Sequence, residues 1–548
     1  MKAKILKHKY ALLLFLTWGL YFIFLFARMM SIRPDGLYVG HENVWSDWAS
    51  LHLGIASIFA YKEPQYWFAY HTVFADGKLT YAFLTNLISA LFIRAGTSVP
   101  FSFLFPSIVF ALALIYAMRS FYKILLGNEL KAFFAICVFF FSAGLGFIDY
   151  WREFAKDPRL DHFFLITHQY SGLPSYDWFA GNFIIGMLLP QRAFLLGMLI
   201  ALISLTGLFH ALTHRLTPTK DKRTLVLSGL CAGLLPIAHM HSLIAMAFLL
   251  LPVILISYRD WRRLLYFAIP ASALSITLYV IFIYGGIQNK NFMTIAPGLS
   301  AKGFIDWLSF WGRAWGVAIP LAVAGVLLLR KQAPKPIQAF FWGCFLLFAV
   351  TNIIQFQPTR WDNSKLFLWC YFGFSALAVH ALSKIWNHRR ALRPVAILLA
   401  AVLVFTGLLE TIDLQRVNRH TYRLLSSEEM KLAEEIRATT DPLARFATAF
   451  THDHPIAVWG ARPILLGYTS WVHNYGMNYT EVEKDVREIY RGGVNTLNLL
   501  SKNRVSYVYF GPAELREFRP NEDYFKNHFP VAFKTSTGNI RVYDVRPR

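Results

Sequence analysis

Long apolar runs alternate with short polar joints along most of this chain. The runs recur near 20 residues, the length a helix needs to cross a hydrocarbon core of ~30 Å. They predict helices over 11–29, 101–123, 131–148, 193–212, 225–238, 243–258, 264–284, 315–329, 337–354, 366–382 and 394–409. That gives about eleven spans at ~20 residues each. The run 79–95 is also apolar but contains Arg94, and it predicts a re-entrant or surface-lying helix. From Glu410 the pattern changes to charged stretches with mixed periods. There, 426–437 predicts a helix capped by Ser426 or Ser427, and 481–490 a second helix. Residues 464–466, 507–510 and 540–543 predict short strands. The expected fold is a mainly α, polytopic membrane protein over 1–410, with an external loop at 31–78. A small α/β extramembrane domain follows over 411–548.

Composition agrees with a membrane protein: 548 residues, 56% of them hydrophobic and 17% aromatic. The net charge of +22 would suit nucleic acid, but the basic residues gather in short joints between runs, as cytoplasmic loops require. No nucleic-acid partner is expected. Lys2, Lys4, Lys7 and Lys9 place the N-terminus inside. Arg119 with Lys123, the joint 214–223, Arg259 with Arg262 and Arg263, Arg330 with Lys335, and the group from Lys384 to Arg393 then fall on the same side. The tail falls outside. Cys137, Cys231, Cys344 and Cys370 lie in apolar runs without CxxC spacing, which argues against disulfides and zinc. No GxGxxG, GxxxxGK[ST] or GxSxG element is present.

The chemistry-bearing residues fall on the outer face. Asp47 lies between Trp45 and Trp48, five residues after Glu42. It is either a general base or metal ligand, or a solvated loop acid between interfacial tryptophans. Lys78 closes the same loop and either meets a phosphate or anchors at the surface. Gln191 and Arg192 open a span from outside, where positive-inside logic does not explain an arginine. Its fork suits phosphate, and snorkelling to headgroups is the alternative. His239 and His241 sit at a tight outer turn and serve a phosphate, a proton relay, a metal or the structure itself. The densest cluster is QFQPTRWDNSKLF, with Gln355, Gln357, Arg360, Trp361, Asp362, Asn363 and Lys365. So many polar groups at one helix mouth point to a polar ligand, although Asp362 could serve only to neutralise Arg360 or Lys365. In the tail, Tyr468, Trp471, His473, Tyr475 and Tyr479 suit either a glycan or an aromatic core. Asn478 begins a sequon-like triplet.

The layout, an acid in the first outer loop, a surface helix before the second span, short outer hairpins with Arg and His, and an external C-terminal domain, resembles the GT-C glycosyltransferases. That superfamily includes protein O-mannosyltransferases and the aminoarabinose transferases of lipid A. The tail stretches GARPILLGYTSWVHNYG, EKDVREIY and RVSYVYFGPAELREF resemble the external tails of bacterial GT-C-like proteins. The resemblance implies transfer of a sugar from a polyprenyl-phosphate donor to a glycan, lipid or protein acceptor at the outer face, with inversion. It implies a bacterial inner-membrane location with the site facing the periplasm. Asp47 would be the base, and Arg192, His239, His241, Arg360 and Lys365 would hold the donor phosphate. Gln191, Trp361, Asp362, Asn363, Lys78 and Trp48 would contact substrate. A divalent cation, Mg²⁺ or Mn²⁺, accompanies members with adjacent acids in the first loop, and Glu42 and Asp47 are not adjacent. Competing readings are a flippase for lipid-linked saccharides, a non-catalytic assembly protein, and an acyl or phosphoethanolamine transferase. A flippase would bury charge at mid-membrane and often shows inverted repeats; here the charge gathers at one face.

Overall fold

The structure, a computed structural model, describes residues 9–40, 51–158, 166–213, 217–330 and 332–547. It divides into two compact units. One comprises 1–27, 107–280 and 293–416; the other comprises 28–106, 281–292 and 417–548.

The apolar runs are mainly helical, but several are broken: the run 131–148 gives the 12-residue helix Glu129–Phe140 and then a turn at 141–146, and the run 337–354 leaves its helix after Thr351. Among the described residues, six helices are long and apolar enough to cross a membrane: Lys9–Phe26, Val99–Leu126, Arg192–Thr213, Tyr258–Ile283, Arg360–His388 and Arg390–Leu414. The pair Phe304–Trp315 and Ala318–Leu329 passes the same test together but bends by 85°, which makes up to seven. Met240–Ile256 and Lys335–Thr351 are apolar but shorter. The chain is an integral membrane protein. Pro252 and Pro270 lie inside helices, as spanning helices tolerate where neighbours re-satisfy the freed carbonyls.

The first unit is organised around helix Ser364–His388, every residue of which from Ser364 to Ala381 is buried. Tyr122 locks onto it, its ring 4.2 Å from that of Phe372 and its hydroxyl bonded to Phe372 O and Ser375 Oγ. A second lock closes the last span. The buried Glu410 carboxylate accepts from the Ser171 amide and hydroxyl, each at 2.8 Å, and Ser171 Oγ in turn accepts from Gly181 N. This ties the segment around 171–182 to helix Arg393–Leu414.

The second unit joins the early loop to the tail. Strands Met30–Arg33, Gly36–Val39 and Tyr422–Ser426 form an antiparallel sheet. Gly36 has φ +150°, and a Cβ there would stand 2.0 Å from Leu425 O, so this close crossing requires glycine. Beyond it lies a four-stranded sheet in the order Arg445–Ala447, Val505–Phe510, Arg541–Asp544, Val531–Lys534. The central strand alternates faces. Tyr507 and Tyr509 pack on Leu432, Ile436 and Ile456, while Val508 and Phe510 pack on Val486, Ile489 and Phe525. Helix Ser427–Thr439 starts on the expected cap: Ser426 Oγ accepts from Glu429 N, and Glu429 returns the bond. Helix Thr480–Arg491 also forms as expected. The expected strand 464–466 is reduced to isolated bridges, Ile464 to Phe446 and Leu466 to Phe74. The 79–95 run becomes the 11-residue helix Leu84–Arg94. At 1.5 Å per residue it reaches about 17 Å, too short to cross. Arg94 Nε donates to Phe59 O at 2.8 Å and its guanidinium lies over Trp67, so the charge inside this run caps the helix Leu53–Tyr61.

Candidate functional site

His239 organises the site in the first unit. It has an extended backbone, φ −168° and ψ 101°, between the helices Leu235–Ala238 and Met240–Ile256. Its Nδ1 accepts from Ser242 N at 3.2 Å and lies 2.9 Å from Ser242 Oγ, which itself accepts from Trp369 Nε1 at 3.2 Å. An Nδ1 that accepts a backbone N–H carries no proton, so the ring proton is on Nε2. That Nε2–H is buried and has no hydrogen-bond partner. The ring is held from above by Phe194, 4.6 Å away at 73°. Helix Arg192–Thr213 can approach this closely because position 197 is glycine: a Cβ there would lie 2.2 Å from His239 Cβ.

His241 stands 5.4 Å from His239, ring to ring. Lys365 acts electrostatically on both imidazoles, and Asp362 and Gln357 act on His241. Asp362 and Lys365 form a buried ion pair within one turn, at the start of helix Ser364–His388. The Gln357 side chain is hydrogen-bonded to the His241 ring. The cluster therefore presents an unmatched donor and a cation that shares its carboxylate. Such an unmatched group costs roughly 1–3 kcal/mol unless a ligand completes it. Arg192 is 0% exposed at the head of its helix, with Nε 3.2 Å from Ser107 Oγ.

Other residues of the cluster hold the turn. Asn363 Oδ1 accepts from Phe356 N, while Nδ2 donates to Thr351 O and Ile354 O. Gln355 Nε2 donates to Gln357 O and Pro358 O. Together they fold the chain back from helix Lys335–Thr351 into the next. Arg360 is exposed and lies 3.6 Å from Asp177 and 3.3 Å from Ser300 Oγ. Asp177, Ser300 and Arg360 line a small pocket with Tyr176, Trp178 and Phe310. Trp361 packs edge-on against Trp178 and Phe179, at 5.7 and 5.5 Å. Gln191 is buried beside Arg192. Glu42, Trp45, Asp47 and Trp48 lie outside the described residues.

In the second unit, Lys78 Nζ donates to Tyr284 O at 2.8 Å. Trp471 stacks on His452 at 28° and is crossed by the exposed Tyr468. Tyr475 lies against His71, and Trp471, Tyr475 and Tyr479 all pack on a core of Val73, Phe74 and Leu466. Among the described residues no group of three or more His, Cys, Asp or Glu is placed to hold a metal ion.

Sequence reasoning did not single out Ser107, Ser242, Asp177 or Glu410. Ser242, three residues after His239 at a helix start, carries a readable signal, because a cap needs an N–H two or three positions on. Glu410, an acid closing an apolar run, carries another.

No protein-family profile matches the chain, and no curated protein matches it in sequence. Solved structures do match in fold. The archaeal oligosaccharyltransferase AglB from Archaeoglobus fulgidus, solved with an inhibitory peptide and a dolichol-phosphate, aligns with a TM-score of 0.51 at 11% identity. The match covers 99% of this chain and 75% of that one. ArnT from Cupriavidus metallidurans aligns at 0.51 and 10%, covering 98% of each. The mycobacterial arabinofuranosyltransferase AftD aligns at 0.54 and 15%, with 98% of this chain spanning 41% of that one. The chain thus has the fold of the GT-C glycosyltransferases.

Proposed function

We propose that this protein is a membrane glycosyltransferase that takes a sugar from a polyprenyl-phosphate donor and passes it to an acceptor at the outer face of a bacterial inner membrane. The observation that carries the reading is the buried Nε2–H of His239, fixed by Ser242 and unmatched, within the field of Lys365. The fold likeness supports it.

In the reaction, an acceptor hydroxyl attacks the anomeric carbon from the face opposite the phosphate. The carbon–oxygen bond to the phosphate breaks, the lipid phosphate leaves with one more negative charge, and the configuration inverts. The hydroxyl proton passes to the Asp47 carboxylate. His239 donates Nε2–H to a phosphate oxygen, and Lys365 and Arg192 add positive charge. Donors already in place where charge develops, away from water, give the largest electrostatic return. Trp361 offers a ring face to the sugar. Asp362 keeps Lys365 in position, while Asn363 and Gln355 fix the turn. Arg360 and His241 are assigned to the donor phosphate, and Gln191, Lys78 and Trp48 to substrate contact.

The test is turnover of radiolabelled polyprenyl-phosphate sugars by purified wild type, His239→Asn and Asp47→Asn. Asparagine caps a helix as histidine does here but lacks the second ring donor. Loss of turnover in a folded His239→Asn protein supports the phosphate site, and loss in Asp47→Asn with donor still bound supports the base. Wild-type turnover in both variants removes the proposed roles. A protein that consumes no donor from a broad panel yet moves lipid-linked saccharide across vesicles is a flippase.

A further inference from the structure

Helix Ser364–His388 carries a second unsatisfied polar group far from the site above. His380 lies 15 residues beyond Lys365, or ~22 Å along the axis. It is buried, and both of its ring nitrogens lack a hydrogen-bond partner. A neutral imidazole has one donor and one acceptor to satisfy, and an imidazolium has two donors. Either state leaves two groups unmet in this setting, which is costly in a packed interior.

The surroundings are cationic. Lys131 and Lys384 both act on His380, and they act on each other. Lys131 lies in the first turn of helix Glu129–Phe140, its amide capped by Asn128 Oδ1 at 3.0 Å. A helix start adds partial positive charge. The acid two residues before Lys131, Glu129, is paired through Oε1 with Arg119 and Lys123, each at 2.8 Å, rather than with Lys131. Among the described residues, neither Lys131 nor Lys384 has an ion-pair partner. Two half-buried ammonium groups and an unmatched imidazole, with no carboxylate to balance them, are a site for an anion. Arg119 and Lys123 precede Lys131 in the chain, and His388, Arg389 and Arg390 follow Lys384, so further basic residues flank the group.

We propose that His380, Lys131 and Lys384 bind a phosphate group at the basic end of the helix bundle. A ring N–H of His380 donates to one phosphate oxygen, and the two ammonium groups hold the others. The phosphate comes from an anionic lipid headgroup or from free phosphate, and the chemistry of recognition is the same.

The experiment follows thermal unfolding of the delipidated full-length protein in detergent. Phosphatidylglycerol in mixed micelles, inorganic phosphate and an uncharged diacylglycerol are titrated separately into wild type, Lys131→Gln/Lys384→Gln and His380→Leu. The expected result is a saturable rise in the wild-type midpoint, with half-saturation at least tenfold weaker in the variants and no rise with diacylglycerol. A rise with phosphatidylglycerol alone identifies the headgroup as the source; the same rise with inorganic phosphate identifies the free ion. Both lysines are partly exposed, so the double variant tests the site even where His380→Leu fails to fold. The proposal is overturned if the wild type responds to neither phosphate probe, if the double variant titrates as wild type does, or if diacylglycerol shifts the midpoint equally.

Discussion

Each unit of this protein buries a lysine, and the two lysines are handled differently. Lys365 in the first unit is 8% exposed and faces the carboxylate of Asp362. Lys62 in the second unit is 3% exposed and, among the described residues, has no carboxylate in ion-pair contact. Its ammonium donates to the Pro442 carbonyl and lies 4.4 Å from the centre of the Tyr70 ring. Loss of water around it, reinforced by Arg462, pushes its pKa down to about 7. Lys62 is thus a tie between two backbone segments, held by neutral groups. Lys365 is held by a full negative charge in a cluster that also contains the unmatched His239 donor, so an arriving anion can share it. The difference teaches that burial of a cation does not mark a site; the company of an unmet hydrogen-bonding group does.

The largest effect that would sharpen the contrast is removal of the carboxylate. Asp362→Ala leaves Lys365 buried and unmatched and is expected to lower stability by about 3–5 kcal/mol, read by chemical or thermal unfolding. The paired change Asp362→Leu/Lys365→Met should recover most of that loss while leaving donor turnover abolished. A single change that leaves the unfolding midpoint where it was would break the comparison.

Next is His239→Asn, expected to cut donor turnover by about 10²–10³-fold with little change in unfolding, because one preorganised donor to a developing negative charge is lost. For Lys62 the signature is a pH slope. Its folded pKa near 7 lies below that of a free lysine, ~10.4. Between those values the unfolded chain holds a proton that the folded chain lacks, so stability rises with pH across that window. Below pH 7 both states are charged and the cost of burying the charge is fully present. Wild type should gain about 1–3 kcal/mol from pH 7 to 10, and Lys62→Met should be flat there. The smallest effect is Ser426→Ala, which removes the cap of helix Ser427–Thr439 and should cost about 1 kcal/mol.

Much of this architecture was legible in the chain. Apolar runs set the helices because a backbone in lipid must satisfy itself, and the Ser426–Glu429 box set a helix start because its bonds are local. The polar cluster at 355–365 was legible as a group. The division of labour within it was not. Asn363 and Lys365 look equally suited to a ligand in sequence, but Asn363 is used up by three backbone groups that only the folded turn brings near. Arg360 meets Asp177, more than 180 positions earlier, a pairing that no local pattern announces. The grouping of 28–106 with the tail was equally invisible, since it rests on strand pairing across most of the chain.

That pairing also has a consequence in time. Gly36–Val39 pairs on one edge with Met30–Arg33, made just before it, but its other edge is met by Tyr422–Ser426. At a synthesis rate of roughly 5–20 residues per second, the early strand waits about 20–80 s for the later one to be made. Through that interval its free edge is a template for other chains, and whatever shields it during biogenesis sets the yield of folded protein.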